Sequence, residues 1–389
     1  MTPPRILVAF GTRPEAIKLL PVITRLRDRR DVALTVVNSG QHRALLDPFL
    51  ARFGLVPDID LAVLRPGASL DALAASLLTR MGETLDRVRP GRVVVQGDTA
   101  TAAMTALAAY HRRLPVAHVE AGLRTGDRYH PWPEEVNRRL IASVSDLHFA
   151  PTRTAAETIL REGIETDRVI VTGNTVVDTL HAVRARLAID PALTGAARAL
   201  IARAEGRPIV LVTAHRRENL PHLPAIAEAV ARLARRGDAL LVVAQHARPE
   251  AQRVMAERLA GCANVVLAAP LDYPDFVALM EASHLVLTDS GGVQEEAPAL
   301  GRPVLVLRET TERPEGLIAG TARLVGTDPD RIVREAAALL DDPCVHGAMA
   351  RAHSPFGDGQ AAARIVAALT GGEIAPFGAT AAAAAEVGA

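Results

Sequence analysis

Three carboxylates stand where apolar, strand-like segments of this sequence end or where a long polar loop leads into a helix. Asp98 follows a strand in "QGDTATA", Glu120 closes "VAHVE", and Glu134 lies in "PWPEEVNRR". Glu120 carries most weight, because a carboxylate at the end of a buried strand is costly without a polar partner. Asp98 has the simpler alternative of capping the helix that begins at "TATA". Acidic side chains gathered at strand ends indicate general acid–base chemistry.

Cationic side chains occupy other strand ends. Arg13 and Lys18 follow the first strand in "FGTRPEAIK", and Lys18 is the only lysine of the chain. Pro14 suits a first helical turn, so the segment predicts a helix N-terminus flanked by two cations, which is typical of an anion site. A solvated surface lysine is the alternative. In "VTAHRREN", His215 is followed by two arginines, which favours an anion contact over a structural histidine.

The segment "LTDSGGVQEEAPALG" predicts a site for a nucleoside diphosphate. Ser290, Gly291 and Gly292 follow a strand, and the backbone N–H groups of such small residues can approach phosphate oxygens. Glu296 lies one helical turn further on, where its carboxylate can accept hydrogen bonds from ribose hydroxyls. The alternative is an ordinary strand-to-helix turn with glycines for tightness.

Composition excludes several classes of partner. The 44 basic and 44 acidic side chains give a formal charge of zero, so no general field would gather nucleic acid or an anionic membrane. The two cysteines have no CxxC spacing, which argues against a zinc ribbon or a disulfide scaffold. No apolar run approaches the ~20 residues of a membrane span, and no signal peptide is apparent. We therefore expect a cytoplasmic protein.

Eleven short apolar runs alternate with alanine-rich segments of helical period, from "RILVAFGT" to "PVLVLRET". This rhythm predicts parallel sheets covered by helices on both faces, and eleven strands are too many for one ordinary sheet. We expect two doubly wound, Rossmann-like α/β domains facing across a cleft: residues 1–173, with the acid–base groups, and residues 174–370, with the nucleotide site. The last helix is expected to pack back on the first domain, and residues 371–389 to form a mobile tail. No GxGxxG is present, so no nicotinamide or flavin cofactor is expected.

Eight motifs together resemble the non-hydrolysing UDP-N-acetylglucosamine 2-epimerases, in order and spacing, from about residue 6 to residue 365. They are "FGTRPEAIK", "GDTATA", "HVEAGLRTGD", "PWPEEVNR", "TGNTVVD", "TAHRREN", "TDSGGVQEEAP" and "RETTERPE". The resemblance implies a two-domain fold like that of the GT-B glycosyltransferases and a homodimer that uses neither metal nor cofactor. It also implies a UDP-sugar substrate, with interconversion of UDP-GlcNAc and UDP-ManNAc.

The resemblance also assigns roles by position. The catalytic group is Asp98, Glu120, Glu134 and His215, with the histidine at the diphosphate. The remaining substrate contacts are Arg13, Lys18, Arg138, Leu271, Phe276, Ser290, Gly291, Gly292, Glu296 and Arg313, of which Phe276 and the backbone near Leu271 match the uracil site. A second, allosteric UDP-GlcNAc site would involve Gln41, His42 and His246. Ala44 and Ala68 stand where regulated members tend to have glutamine, which argues against allosteric activation.

The chemistry of the resemblance fits these residues. Removal of the C2 proton alone would leave an unstabilised carbanion, whereas loss of UDP from C1 in the same process gives a neutral glycal. Which carboxylate removes the proton and which returns it stays open. Three alternatives also stay open: a 2-epimerase of a uronic acid or diacetamido derivative of UDP-GlcNAc, a GT-B glycosyltransferase, and a sugar-nucleotide sensor without activity.

Overall fold

The computed structural model of the chain describes residues 3–64, 67–245, 248–351 and 354–377. These residues form two compact units, one drawn from Met1–Thr179 and Phe356–Ala389 and the other from Leu180–Pro355. Each unit is built around one parallel sheet. The expectation of two doubly wound α/β domains is therefore confirmed.

The first unit contains, within its described residues, a seven-stranded sheet of order β3-β2-β1-β4-β5-β6-β7. Its strands are β1 (Arg5–Phe10), β2 (Ala33–Asn38), β3 (Ile59–Asp60), β4 (Arg92–Gln96), β5 (Val116–Val119), β6 (Leu147–Ala150) and β7 (Val169–Val171). The helices that belong to it are α1 (Arg13–Arg27), α2 (Arg43–Phe53), α3 (Leu70–Val88), α4 (Ala100–Tyr110), α5 (Glu134–Val144), α6 (Arg153–Arg161) and, at the end of the chain, α16 (Ala361–Thr370). Helix α7 (Thr175–Ile189) begins in the first unit and ends in the second.

The second unit contains, in the part of the chain described, a six-stranded sheet of order β10-β9-β8-β11-β12-β13. Its strands are β8 (Ile209–Thr213), β9 (Leu240–Ala244), β10 (Val265–Ala268), β11 (Leu285–Thr288), β12 (Val304–Val306) and β13 (Ala322–Leu324). Its helices are α8 (Gly195–Ala202), α9 (Leu223–Ala234), α10 (Pro249–Leu259), α11 (Tyr273–Ala282), α12 (Val293–Ala299), α13 (Pro314–Ile318), α14 (Pro329–Asp341) and α15 (Pro343–Met349). Short 3₁₀ turns lie at Thr166–Arg168, Pro191–Thr194 and Arg217–His222.

Apolar side chains explain the central strands. In β1, Ile6–Phe10 are all buried, and Val8 lies beside Val36 of β2 and Val94 of β4. Such strands are covered on both faces, so they read as continuous apolar runs. The eleven predicted runs correspond to eleven strands of the structure. The two strands that the apolar pattern did not reveal, β3 and β13, have two and three residues and form sheet edges, where little apolar surface is needed.

The strand order reverses at the same place in both sheets. In the first unit, β2 and β3 lie on one side of β1, and β4 to β7 lie on its other side. In the second unit, β9 and β10 lie on one side of β8, and β11 to β13 lie on its other side. Open α/β sheets bind ligands beyond the carboxyl ends of the strands at this switch point. The residues that follow β1, β4, β8 and β11 are therefore the first place to look for a site.

The end of the described chain packs on the first unit. Helix α16 lies against α1, and Asp178 accepts hydrogen bonds from the backbone N–H groups of Ala361 and Ala362 at its start. Arg364 donates to the carbonyl of Ala375 and stacks over the ring of Phe377. Residues 371–377 of the expected tail thus have defined contacts, and residues 378–389 lie outside the described residues. Across the described ranges, we find no helix with the length and apolar character of a membrane span.

Candidate active site

The turn between β1 and α1 is organised around a buried carboxylate. Glu15 accepts hydrogen bonds from the backbone N–H groups of Gly11 (3.1 Å) and Thr12 (2.8 Å) and from the hydroxyls of Thr12 (2.8 Å) and Thr99 (2.7 Å). Burial raises the pKa of Glu15 to about 7, although the four hydrogen bonds oppose that rise. A Cβ at Gly11 would lie 2.0 Å from the hydroxyl of Ser39, so only glycine fits.

The start of α1 already has an acceptor within the chain. Glu15 takes the N–H groups of Gly11 and Thr12, and the substrate contact predicted for this helix stays a prediction. Arg13, the first residue of α1, is half-buried. Lys18 is buried, with 7% of its surface exposed, and its ammonium pairs with the carboxylate of Glu120. The solitary lysine is thus not a solvated surface residue.

Glu120 lies directly after β5 and is held by three donors. Lys18 and the amide of Asn174 (2.8 Å) donate to Oε1, and the amide of Gln96 donates to Oε2. The backbone of Glu120 has a φ of +64°, a left-handed conformation that is uncommon for a residue with a side chain. The cost of burying Glu120, from which its importance was predicted, is met by these partners.

Asp98 follows β4, the neighbour of β5, and is tied to helix α5. One carboxylate oxygen, Oδ2, receives both Nε (2.8 Å) and Nη2 (2.7 Å) of the buried Arg138, and Asn137 donates to the Asp98 carbonyl. Arg138, predicted as a substrate contact, therefore contacts a predicted acid–base residue in this structure. Glu134, the first residue of α5, is half-buried and lies one helical turn before Arg138. The structure thus joins Asp98 to the helix that carries Glu134.

A second acid of the same motif has a structural place. Glu135 is fully buried and accepts hydrogen bonds from the backbone N–H groups of Thr125 (3.1 Å) and Gly126 (3.2 Å) and from Arg138 (3.1 Å). It fixes the polar loop that leads from β5 to α5. Of the two glutamates in "PEEV", Glu135 therefore orients the loop, and Glu134 lies at the start of the helix.

Two of the residues predicted for an allosteric site, Gln41 and His42, lie after β2. The Gln41 amide oxygen accepts from the backbone N–H (3.1 Å) and the hydroxyl (2.7 Å) of Thr101, which ties this loop to α4. His42 is exposed at the start of α2, and its backbone N–H donates to the carbonyl of Gly11. His246 lies outside the described residues. The allosteric site stays a prediction.

In the second unit, Asp289 organises the switch point. This fully buried residue follows β11, and its Oδ2 accepts from the backbone N–H groups of His215 (2.9 Å) and Arg216 (2.9 Å) and from the amide of Asn219 (3.0 Å). The loop after β8 is thereby fixed to the end of β11. The imidazole of His215 is partly exposed, at 29% of its side-chain surface.

The Ser290–Gly292 turn lies beside a buried network of charges. A Cβ at Gly291 would lie 2.6 Å from Nη1 of Arg313, so glycine lets the guanidinium approach the turn. Arg313 pairs with Glu295 (2.5 Å) and with Glu312, which also binds Arg308 (2.8 Å). Helix α12, which begins after the turn, has only seven residues. The arginine rather than the helix is therefore the main source of positive charge here.

The predicted nucleoside contacts lie on α12 and α11. Glu296 is buried, and its Oε1 accepts from the hydroxyl of Tyr273 at 2.5 Å. Phe276 is half-buried on α11, and Leu271 is half-buried in the loop before that helix. The structure thus joins Glu296 to the helix that carries Phe276.

Several residues that hold these groups were not predicted from the sequence: Glu15, Gln96, Asn174, Tyr273, Asp289 and Glu312. Gln96, Asn174 and Asp289 follow or end apolar strands, as Asp98 and Glu120 do. If amide side chains near strand ends are treated as candidates in the same way as acids, Gln96 and Asn174 are selected as well. Glu15 and Tyr273 lie in the first turns of helices and Glu312 lies in the loop before α13, so they carry no comparable signal.

Comparison with known proteins agrees with this geometry. The sequence profile of the UDP-N-acetylglucosamine 2-epimerase family matches residues 24–370. The UDP-N-acetylglucosamine 2-epimerase of Salmonella typhimurium is 46% identical over 368 residues, which cover 94% of this chain and 98% of the relative. That of Escherichia coli is 44% identical over 373 residues, covering 95% and 99%.

Solved structures show the same likeness. The crystal structure of UDP-GlcNAc 2-epimerase from Neisseria meningitidis bound to UDP-GlcNAc superposes with a TM-score of 0.91 at 41% identity, covering 94% of this chain and 99% of that one. The enzyme from Methanocaldococcus jannaschii, in complex with UDP-GlcNAc and UDP, gives 0.83 at 32% identity, covering 94% and 99%. The resemblance predicted from the motifs is confirmed: this chain belongs to the UDP-N-acetylglucosamine 2-epimerase family, a family of isomerases.

Proposed function

We propose that this protein interconverts UDP-N-acetylglucosamine and UDP-N-acetylmannosamine by inverting C2 of the sugar, without hydrolysis. Relatives named for this activity are 40–48% identical over nearly the whole chain. The observation that carries the proposal is the Glu120 carboxylate at the end of β5, fixed by Lys18, Gln96 and Asn174. A carboxylate with both oxygens oriented is pre-organised for proton transfer.

The proposed reaction proceeds by elimination and re-addition. A carboxylate takes the proton from C2, the C2–H electron pair forms the C1=C2 double bond, and the C1–O bond breaks so that its electrons leave with UDP. In the second stage UDP adds back to C1 while a proton reaches C2 from the opposite face. Asp98, Glu120 and Glu134 are the residues that we assign to the two proton transfers.

The second unit supplies the groups for the leaving UDP. His215, the Ser290–Gly292 turn and Arg313 are proposed to bind the diphosphate, because cations and backbone N–H groups stabilise the charge that develops there. Glu296 is proposed to bind the ribose and Phe276, with the backbone near Leu271, the uracil. Arg13 is proposed as a further contact of the substrate. Stabilising the leaving group is as necessary as the base, because the elimination fails if UDP cannot depart.

Incubation with UDP-GlcNAc alone tests the proposal. The expected product is UDP-ManNAc, identified by NMR, with UDP and the glycal only as minor species. Binding without turnover would favour a sensor, and conversion only after an acceptor is added would favour a glycosyltransferase. Turnover of only a uronic acid or diacetamido derivative would move the assignment within the enzyme class. The family resemblance also implies a homodimer, which sedimentation of the same sample would check.

A further inference from the structure

The loop that carries His215 is held by a single carboxylate oxygen. Oδ2 of Asp289 receives the backbone N–H groups of His215 and Arg216 at 2.9 Å and the side-chain amide of Asn219 at 3.0 Å. Asn219 also donates to the carbonyl of Leu307 after β12, so three neighbouring strand ends meet here. Three donors on one oxygen fix the rotation of the Asp289 side chain.

The other oxygen of the same carboxylate has a different environment. Oδ1 of Asp289 is buried and has no hydrogen-bond partner among the described residues, and it lies 3.8 Å from Nδ1 of His215. A buried carboxylate oxygen without a hydrogen bond raises the free energy of the folded state. A structural role for Asp289 in fixing the loop after β8 explains the contacts of Oδ2, but it does not explain why Oδ1 is buried. The side chain of His215 is partly exposed. Catalytic hydrogen bonds are often long in unliganded sites and shorten when substrate binds.

We propose that Asp289 is a positioning residue for His215. Its Oδ1 accepts a hydrogen bond from Nδ1–H of the imidazole, which fixes the ring orientation and directs Nε2 away from Asp289, toward the anion that His215 binds. This inference rests on the proposed function for the identity of that anion, a nucleoside diphosphate. Asp289 itself does not contact the substrate.

Two arginines that follow His215 and Leu307 in sequence have acids of their own. Arg216 lies 3.8 Å from Glu312, and Arg308 lies 2.8 Å from Glu312 and 3.8 Å from Glu218. A carboxylate that accepts from one ring nitrogen determines which nitrogen carries the proton in the neutral imidazole. In the neutral ring this contact leaves Nε2 as an acceptor. Nε2–H therefore donates to the anion when the ring is protonated, the form that the Asp289 carboxylate stabilises.

Nitrogen-15 NMR of the full-length protein identifies the tautomer of the His215 imidazole directly. The His215 signal is assigned by its loss in His215→Gln. We expect Nδ1–H in the neutral wild-type ring. In Asp289→Asn the three donors hold the amide oxygen in the place of Oδ2, so the amide nitrogen faces Nδ1 and the ring changes to Nε2–H. We expect kcat/KM for UDP-GlcNAc to fall roughly 10- to 100-fold, the range seen when the group orienting a functional imidazole is removed.

The matched control is Asn219→Ala, which removes one donor to Oδ2 and leaves Oδ1 facing the ring. We expect a lower Tm, because a buried hydrogen bond is lost. We expect an unchanged tautomer and a kcat/KM within about threefold of wild type, because the ring is oriented by Oδ1, which Asn219 does not contact. A wild-type ring in the Nε2–H form would overturn the proposal, and that measurement needs no variant to fold. An unchanged tautomer in Asp289→Asn would overturn it as well. If the wild type does not turn over UDP-GlcNAc, the proposed function fails while the tautomer still decides the Asp289–His215 contact.

Discussion

The regions beyond the ends of β1, β4 and β5 in the first unit and of β8, β11 and β12 in the second occupy equivalent places in similar strand orders, yet their central charged groups differ in sign. In the first unit the central group is a carboxylate, Glu120, whose partners are an ammonium and two amides. In the second it is a guanidinium, Arg313, whose partners are the carboxylates of Glu295 and Glu312. The fold determines where a charged group lies, and local sequence determines its sign.

This difference corresponds to two chemical tasks. A buried charge is stable only with partners of the opposite kind, so each unit surrounds its functional group with the groups that it needs. Under the proposed function the first unit moves protons and the second stabilises a leaving diphosphate. Variants of Glu120 and its partners should therefore change kcat, and variants of the groups that hold Arg313 should change mainly the binding of UDP. The predictions below are ordered by their expected effect on turnover.

Glu120→Gln should have the largest effect. The variant keeps the shape of the side chain but cannot accept a proton, so we expect kcat to fall at least ~100-fold while UDP binding is retained. Steady-state kinetics and UDP titration calorimetry measure the two quantities. Near-normal epimerisation would remove Glu120 from the mechanism and abolish the contrast between the units.

Lys18→Arg should be nearly as damaging as Lys18→Ala. The ammonium of Lys18 occupies a buried site on Glu120, and a planar guanidinium is larger and needs a wider site. Both variants should lose about 1.5–3 kcal/mol in the free energy derived from kcat/KM, the scale of a charge-assisted hydrogen bond. The comparison is made at equal ionic strength. Wild-type kinetics in Lys18→Arg would show that any cation serves at this position.

Glu312→Gln tests the second unit. Glu312 holds Arg313 and Arg308, so its loss leaves two buried guanidinium groups less well oriented. We expect UDP affinity to weaken about tenfold and kcat to change less than about threefold, together with a lower Tm. Glu309→Gln, in an exposed acid of the same loop, is the control and should leave affinity unchanged. A large fall in kcat with unchanged UDP affinity would contradict the division of tasks.

Glu15→Gln should have the smallest effect on turnover, less than about threefold, because a glutamine can keep most of the hydrogen bonds in the first turn. Its effect on stability depends on pH. The pKa of Glu15 is raised to about 7 in the folded protein, so the folded state binds more protons than the unfolded state between pH 4.5 and 7. The contribution of Glu15 to the free energy of unfolding of the wild type is therefore present at low pH and is lost as the pH rises toward 7.

The glutamine variant has no such proton to lose. Relative to wild type, Glu15→Gln should thus gain about 2–3 kcal/mol in free energy of unfolding as the pH rises from 5 to 8. Urea denaturation at several pH values measures this difference. A difference that is constant with pH would show that Glu15 is ionised across the whole range.

Much of the fold was predictable because its signal is local. Each central strand is a continuous apolar run, and each predicted acid–base carboxylate lies within two residues after a strand or begins a helix. The partners of these acids are not local: Lys18, Gln96 and Asn174 lie 102, 24 and 54 residues from Glu120 in sequence. Only strand order and register bring them together, which is why Lys18 was predicted as an anion contact and found beside Glu120.

The same limit applies to Asp289. Its strand-end position was visible in "LTDSGG", but its donors come from the loop after β8, 70 to 74 residues earlier. The pairing of β8 with β11, which places Thr213 beside Thr288, makes that contact possible. Sequence patterns identify candidate groups, whereas sheet order decides which of them meet.

The central claim is that a carboxylate of the first unit exchanges the C2 proton of the sugar with solvent. The most direct measurement is incubation of the wild-type protein with UDP-GlcNAc in deuterated water, followed by mass spectrometry and proton NMR of both epimers. We predict deuterium at C2 of the product and, as equilibrium is reached, of the recovered UDP-GlcNAc as well. Epimerisation with full retention of the original C2 hydrogen would contradict the account, because it would require a shielded proton or a hydride transfer.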